Sequence, residues 1–228
     1  MIIKRDRSII ISCDVDSLDR LRKLVKETCR VEGVGGYKIG FELCLAFGMP
    51  AVVREIRNIT RLPIIYDHQK AATDIPDTGE KFARVCKIVD AVILFPQAGP
   101  VTEKEWIKQC KMAGLTVIVG TEMSHKGYLA KDGGYIVDDA PKRIIEIAKK
   151  EGINDFVVPG NKPDKVREYR RILGEKAVFY SPGIGAQGGD IREYAKAAGK
   201  YWHAIVGRSI YGAKDIKRAA EEFCEYVR

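Results

Sequence analysis

The stretch Leu62-Pro63-Ile64-Ile65-Tyr66 runs directly into Asp67-His68-Gln69-Lys70. Its apolar part is short and rich in β-branched residues, which predicts a buried strand. The polar part places a carboxylate and an amine just past the end of that strand, where each stabilises the charge of the other. An isolated pair of this kind is more often a solvated surface ion pair, so its meaning depends on the rest of the chain.

Similar apolar runs recur along the chain and alternate with longer segments that have helical spacing, as in Leu18, Leu21 and Leu24. Eight runs are candidate strands: residues 9–13, 37–39, 63–66, 91–95, 115–119, 156–158, 177–180 and 204–206. Such alternation indicates a parallel sheet with crossover helices, and eight units predict an α/β fold of the (β/α)8 TIM-barrel type. A doubly wound open sheet is the competing architecture, but its G-x-G-x-x-G fingerprint does not follow the first strand.

The chain of 228 residues is long enough for one sizeable core, and no linker or low-complexity stretch divides it. We therefore expect a single barrel domain over residues 1–228. No apolar run approaches the length of a membrane span, and the first seven residues are too charged for a secretory signal. These features predict a soluble, cytoplasmic protein without a membrane partner.

Six cysteines are scattered without a C-x-x-C pair, which favours reduced thiols over disulfides or a metal site. The net charge is +8, but the lysines and arginines are spread along the chain beside nearly as many acidic residues. They form no basic stripe interleaved with aromatic side chains. We therefore expect no nucleic-acid partner and, at most, small phosphorylated ligands.

In a barrel, side chains at the C-terminal ends of all strands meet at one mouth. The expected mouth residues are Asp14, Lys38, Asp67, Lys70, Ser124, the 182–190 loop, Gly207 and Arg208. The 181–190 loop contains four glycines, which let its backbone approach a ligand closely and move. Val206-Gly207-Arg208-Ser209 offers amides and a guanidinium to an anion. Two such loops after consecutive strands predict phosphate binding.

Other polar residues near the strand ends have plainer interpretations. Glu122 and His125 follow the fifth strand, where solvation or structural hydrogen bonding is the favoured role. His68 and His203 are expected to pack or cap rather than to bind a metal.

The motifs resemble, in order and across nearly the whole chain, the orotidine 5′-phosphate decarboxylases, especially the short archaeal kind. The resemblance is carried by Cys13-Asp14, Tyr37-Lys38-Ile39-Gly40, Asp67…Lys70…Asp74-Ile75-Pro76…Thr78, Thr121-Glu122-Met123-Ser124-His125, Ser181-Pro182-Gly183-Ile184-Gly185-Ala186-Gln187-Gly188-Gly189-Asp190 and Val206-Gly207-Arg208-Ser209-Ile210-Tyr211. The last two motifs are highly specific in combination.

The resemblance implies a homodimeric barrel with shared sites that converts orotidine monophosphate to uridine monophosphate, the last step of de novo pyrimidine synthesis, without a metal or organic cofactor. Lys70 would protonate C6 of the pyrimidine, while Asp67 would press on the departing carboxylate. Lys38 would hold the charge array and the ribose, and Asp74 would reach into the partner's site. The implied substrate-binding residues are Asp14, Ile75, Thr78, Ser124, Pro182, Gln187, Gly207 and Arg208.

The spacing of the charged segment departs from the family pattern Asp-x-Lys-x-x-Asp. Two residues separate Asp67 from Lys70, and three separate Lys70 from Asp74, so that Gln69 takes the place expected for the lysine. Because residues i and i+3 of a strand face opposite sides, Lys70 joins Asp67 only if a bulge or turn re-aims it. We favour this bulge, with Lys70 as the proton donor.

Two other functions remain open. A nucleotide-binding homologue with impaired catalysis would follow if the amide of Gln69 replaced the proton donor. A related phosphosugar decarboxylase or aldolase would use magnesium, and these relatives place an acidic ligand on strand two, where Lys38 would repel a divalent cation.

Overall fold

The computed structural model describes residues 2–68, 71–185 and 188–227. Eight parallel strands pair in sequence order and close into a barrel, because the first strand also pairs with the last. The strands are β1 (Arg7–Ser12), β2 (Val34–Gly40), β3 (Ile64–Asp67), β4 (Ala91–Leu94), β5 (Thr116–Gly120), β6 (Asp155–Val157), β7 (Val178–Ser181) and β8 (Trp202–Val206). The predicted (β/α)8 barrel is confirmed.

Helices alternate with the strands and cover the outside of the barrel. They are α1 (Leu18–Thr28), α2 (Phe41–Phe47), α3 (Met49–Arg57), α4 (Thr78–Cys86), α5 (Pro100–Met112), α6 (Ala140–Lys150), α7 (Pro163–Leu173), α8 (Ile191–Ala198), α9 (Arg208–Tyr211) and α10 (Ile216–Cys224). Short 3-10 turns occur at Ala130–Asp132 and Glu225–Val227. Side-chain caps fix several helix starts, since Ser17, Asp190 and Asp215 each accept a hydrogen bond from a backbone N–H of the first turn.

Three strands begin two or more residues earlier than their apolar runs predict. β1 starts at Arg7 rather than Ile9, β2 at Val34 rather than Tyr37, and β8 at Trp202 rather than Ala204. The additional residues of β2 include Gly35 and Gly36, where a Cβ atom would lie 2.1 Å from Ser8 Oγ and 2.8 Å from the carbonyl oxygen of Pro63, respectively. These glycines therefore allow close strand packing, although glycine weakens the strand signal in the sequence.

The barrel has two apolar layers with different partners. The interior is filled by side chains such as Ile10, Ile65, Ile93, Ile118 and Ile205, all nearly or fully buried. A larger layer lies between the strands and the surrounding helices, where every second strand residue points outward. The filled interior closes the barrel below its mouth, so that a ligand can enter only from the ends of the strands.

The buried histidine of the lower barrel, His203, has a structural role. His203 is fully buried, and its Nδ1 lies 2.8 Å from Ser8 Oγ, while its ring packs against Tyr180. Burial lowers the pKa of His203 to about 3, so the imidazole is neutral. His203 therefore packs, as expected from the sequence.

Four of the six cysteines are buried: Cys13, Cys86, Cys110 and Cys224. Among the described residues, no helix combines the length and the apolar character that a membrane-spanning segment requires.

Glu103, in the first turn of α5, is a buried carboxyl group. Its side chain is almost fully buried, and its Oε1 has no hydrogen-bond partner among the described residues. Burial, with a smaller contribution from Glu151, raises the pKa of Glu103 from the ordinary 4.5 to about 8. The carboxyl therefore keeps its proton at neutral pH in the folded protein.

The raised pKa makes the contribution of Glu103 to stability depend on pH. Between about pH 5 and 8 the unfolded chain loses this proton while the folded chain retains it, so stability falls as the pH rises. We expect Glu103→Gln to stabilise the protein at pH 9 by about 1 to 3 kcal/mol and to change little at pH 5. Urea unfolding at both pH values measures the difference, with the exposed Glu146→Gln as control. Equal effects of Glu103→Gln at both pH values would contradict this assignment.

Candidate functional site

A cavity of about 700 Å³ opens at the C-terminal ends of the strands. Its lining includes seven residues that the sequence predicts for the site: Asp14, Lys38, Asp67, Ser124, Pro182, Gly207 and Arg208. They come from the first, second, third, fifth, seventh and eighth strands or the loops that follow them. The closed barrel therefore brings together residues almost 200 positions apart in the chain.

The floor of the cavity is a group of three charges, in which Lys38 and Asp67 are buried and Asp14 is exposed. The Lys38 ammonium lies 3.2 Å from Asp67 Oδ2 and 3.8 Å from Asp14 Oδ1. Lys38 is 5% exposed and Asp67 is 8% exposed. Ser12 Oγ donates a hydrogen bond of 2.7 Å to Asp14 Oδ2 and thereby orients that carboxylate. The result is one cation held between two carboxylates beneath an open cavity.

The charge of Lys38 is maintained by its neighbours. Burial alone would lower its pKa, but the carboxylates of Asp67 and Asp14 oppose this, and the pKa of Lys38 is raised above its ordinary value. Lys38 is therefore protonated at neutral pH, and its ammonium can face a further anionic group, supplied by a ligand in the cavity.

The positions of Ser12, Lys38 and Asp67 on neighbouring strands explain why their side chains converge. Ser12 and Asp67 end β1 and β3, and Lys38 pairs in register with Ser12 across the β1–β2 ladder. The side chain of Ser12 points into the barrel two residues after Ile10, according to the period of a strand. Ser12 was missed in the sequence analysis, although this alternation is a signal that would have found it.

The opposite wall of the cavity contains Pro182, Gly183, Gly207, Arg208 and Ser209. A Cβ atom at position 207 would lie 3.3 Å from Ser12 Cβ, so glycine lets β8 end close to β1. Arg208 is exposed at the start of α9, and it forms none of the salt bridges seen in the described part of the chain. Its guanidinium is therefore available to an anion in the cavity.

Asp74, Ile75 and Thr78 lie outside this cavity. The backbone of this segment is anchored on α5, because Thr102 Oγ1 donates to the Asp74 carbonyl at 3.0 Å and Trp106 Nε1 donates to the Ile75 carbonyl at 3.0 Å. The Ile75 side chain is 59% exposed. In a single subunit the structure does not bring these three residues to the floor of the cavity.

Two predicted site residues, Lys70 and Gln187, lie outside the described residues, as does Gln69. Directly after residue 70, Ala71 and Ala72 are buried, and Ala72 has a φ of 67°. Ala72 is the only non-glycine residue with a positive φ in the described ranges. The chain therefore makes an unusual turn at Ala72, within the charged segment that runs from Asp67 to Asp74.

Glu122 has the structural role expected from the sequence, and it is buried. Lys162 Nζ lies 2.6 Å from Glu122 Oε1, and the Tyr169 hydroxyl donates to Glu122 Oε2 at 2.7 Å. The described residues contain no cluster of three or more His, Cys, Asp or Glu side chains suited to hold a metal ion.

Comparisons with known proteins agree with this architecture. Residues 7–223 match the model of the family described as Orotidine 5'-phosphate decarboxylase / HUMPS family. The chain is 34% identical to the orotidine 5'-phosphate decarboxylase of Methanosarcina mazei, across 99% of this chain and 97% of the relative. It is 31% identical to that of Pyrococcus abyssi, across 96% and 99%.

A solved structure is also similar. The crystal structure of orotidine 5'-monophosphate decarboxylase from Methanocaldococcus jannaschii, complexed with inhibitor BMP, superposes with a TM-score of 0.86 at 29% identity. The match covers 97% of this chain and 99% of that chain.

Removal of the Lys38 ammonium should reveal how strongly the charge group is coupled. Lys38→Met leaves the buried Asp67 carboxylate without this cation, and we expect a loss of about 3 kcal/mol in the free energy of unfolding at pH 8. The double variant Lys38→Met/Asp67→Asn should recover part of this loss, because it also removes the buried negative charge of Asp67. Urea unfolding measures both. Lys126→Met is the matched control, since Lys126 lines the same cavity but is exposed; a loss as large in this control would refute specific coupling.

Proposed function

Because the chain belongs to the Orotidine 5'-phosphate decarboxylase / HUMPS family, we propose that it converts orotidine 5′-monophosphate to uridine 5′-monophosphate and carbon dioxide. The observation that carries this proposal is the Lys38 ammonium between Asp67 and Asp14 on the floor of the cavity. A nucleotide with a carboxylate on its base presents an anion to this charged floor. The cavity of about 700 Å³ has a size typical of small-molecule sites.

The two ends of the substrate would bind to opposite walls. Arg208 and Gly207 would hold the phosphate, with help from Pro182 and Gln187 in the glycine-rich loop. Ser124 would contact the edge of the pyrimidine. Binding energy from the phosphate, which is remote from the reacting carbon, would be used to order the loop and the reacting end.

The ribose would lie between these walls, against Asp14 and Lys38. Lys38 contacts the carboxylates of both Asp14 and Asp67, so it would link sugar recognition to the reacting end. The same ammonium would therefore serve both binding and the charge array.

In the proposed reaction, the bond between C6 and the carboxylate breaks and its electron pair stays on C6. Carbon dioxide leaves, and the ammonium of Lys70 gives a proton to C6, which balances the step. Asp67 would face the departing carboxylate and disfavour its bound form by like-charge repulsion. This repulsion is relieved in the transition state, so it accelerates the step and does not strengthen binding.

The altered spacing of the charged segment makes Lys70 the part of the proposal that most needs testing. The left-handed turn at Ala72 supports a local rearrangement of the backbone, which would direct the Lys70 side chain toward Asp67. If Gln69 took the donor's place, the protein would bind the nucleotide without converting it. A magnesium-dependent phosphosugar reaction is less well supported, because the buried ammonium of Lys38 would repel the cation.

The proposal includes a homodimer with shared sites. Asp74, Ile75 and Thr78 lie away from the cavity of their own subunit, and Ile75 and Val101 expose apolar side chains beside them. An exposed apolar patch next to residues that the reaction requires supports a contact with a second copy of the chain. Asp74 would enter the partner's site through this contact.

Substitution at the two adjacent positions distinguishes the donor. We expect Lys70→Ala to reduce decarboxylation at least about 100-fold, through loss of the general acid, whereas Gln69→Ala retains most of the activity. The measurement is the ultraviolet absorbance change of metal-stripped protein with orotidine monophosphate. Retained turnover in Lys70→Ala would remove Lys70 from the donor's role, and a wild type that binds uridine monophosphate without turnover would refute the enzyme.

Arg208→Ala tests the phosphate contact. Loss of this charge-assisted contact should raise KM by about 10- to 100-fold, and kcat should fall by a smaller factor because part of the phosphate binding energy orders the loop. Steady-state kinetics measure this, with Arg218→Ala on the exposed face of α10 as control. An unchanged KM for Arg208→Ala would remove this residue from the phosphate site.

Mixing two inactive variants tests shared sites. Lys70→Ala and Asp74→Ala proteins should regain activity after subunit exchange, because mixed dimers contain one site in which both residues are intact. The maximum expected is about one quarter of wild-type activity per total protein for random exchange. Mass spectrometry verifies that the subunits have exchanged. If activity does not recover after that, the site is not shared.

A further inference from the structure

The loop after β5 is held by two side chains of the loop after β6, Asn161, which lines the cavity, and Lys162, which is not among its lining residues. Lys162 Nζ donates to the Met123 carbonyl at 3.2 Å, and Asn161 Nδ2 donates to the Ser124 carbonyl at 3.0 Å. Thr121 Oγ1 also donates to the Val157 carbonyl at 2.9 Å, which ties the start of the same loop to β6. Consecutive peptide groups next to the cavity are thus fixed by side chains from the neighbouring βα unit.

Lys162 is itself held in place by a buried carboxylate. Its ammonium lies 2.6 Å from Glu122 Oε1, and the second oxygen of Glu122 accepts the hydroxyl of Tyr169 on α7. The Glu122 side chain is 2% exposed, so a charge there is tolerated only because both oxygens are paired. Burial, together with the Glu122 carboxylate, raises the pKa of Tyr169, which therefore remains a donor. The lysine is fixed in one position despite its flexible chain.

The planar peptide group transmits this constraint into the cavity. In a trans peptide the C=O and the N–H point in opposite directions, and the described residues contain no cis peptide bond. Lys162 fixes the carbonyl of Met123, and so it also fixes the direction of the Ser124 N–H in the same peptide group. Ser124 lines the cavity. The orientation of the Met123–Ser124 peptide group at the cavity wall is therefore set by Lys162, which is not among the residues that line the cavity.

We propose that Lys162, held by Glu122 and Tyr169, is a positioning residue that aligns the Met123–Ser124 peptide for recognition of the ligand's base. This inference rests on the proposed function, because it requires a nucleotide in the cavity. Lys162 acts through the backbone and does not contact the base. Its loss should weaken interactions with the base and leave those with the ribose and phosphate intact.

The experiment compares two ligands that differ only in the base: uridine monophosphate and ribose 5-phosphate. Binding is measured by calorimetry, by competition where it is weak, for wild type, Lys162→Met, Lys162→Arg and the double variant Lys162→Met/Glu122→Gln. The double variant removes both charges, so that a buried unpaired carboxylate cannot unfold the protein. Lys142→Met is the matched control, because Lys142 forms an exposed ion pair with Glu168 on α7, 2.9 Å away.

We expect the methionine and double variants to bind uridine monophosphate about tenfold or more weakly, while their affinity for ribose 5-phosphate changes less than about twofold. Lys162→Arg should retain the selectivity for the base, and Lys142→Met should match wild type. An equal loss for both ligands in the double variant would show a general structural role and overturn the inference, as would unchanged affinity for both.

The wild-type arm separates this inference from the proposed function. If wild-type protein binds neither ligand, the proposed function fails and the inference fails with it. If it binds uridine monophosphate and the Lys162 variants bind it equally well, only the positioning role is overturned.

Discussion

The ion group of Lys38, Asp67 and Asp14 is the constraint around which the rest of the site is arranged. A lysine that is 5% exposed can keep its charge only beside carboxylates, and these must come from other strands because its own strand supplies none nearby. The closed barrel meets this requirement by ending β1, β2 and β3 next to one another. These three charges form the floor of the cavity. A ligand that binds in the cavity must therefore carry charges that complement them.

A second buried ion pair, between Glu122 and Lys162, has a different relation to the cavity. Lys38 faces the cavity directly, whereas Glu122 is 3% exposed and directs its interactions toward Lys162 and α7. The Lys38–Asp67 pair presents its charge to a ligand in the cavity. The Glu122–Lys162 pair instead holds the backbone carbonyl of Met123 in place. Buried charges are costly in either place, and in both places neighbouring side chains supply the compensating contacts.

The sequence could predict the barrel and much of the mouth because their signals are local. Apolar runs marked every strand, and the rule that strand ends converge joined Lys38 to Asp67. The apolar pattern did not predict the first residues of strands that begin with glycine or polar residues. At those positions close packing of the backbone matters more than the side-chain pattern. The partners of Glu122 also escaped, because Lys162 and Tyr169 lie 40 and 47 residues away and only the fold brings them near. The path of the charged segment at Gln69 and Lys70 stays a prediction.

The pairing of β1 with β8 has a consequence for how the molecule is made. Arg7 pairs with Trp202 and Ile11 with Val206, so the barrel closes only through contacts of very high sequence separation. Such topologies fold slowly, because the loop entropy must be lost before these contacts form. During synthesis, a chain shorter than about 200 residues has an open sheet with two unpaired edges, which favour aggregation. The barrel mouth can therefore close only after β8 has been made, although the floor residues Asp14, Lys38 and Asp67 all lie in the first third of the chain.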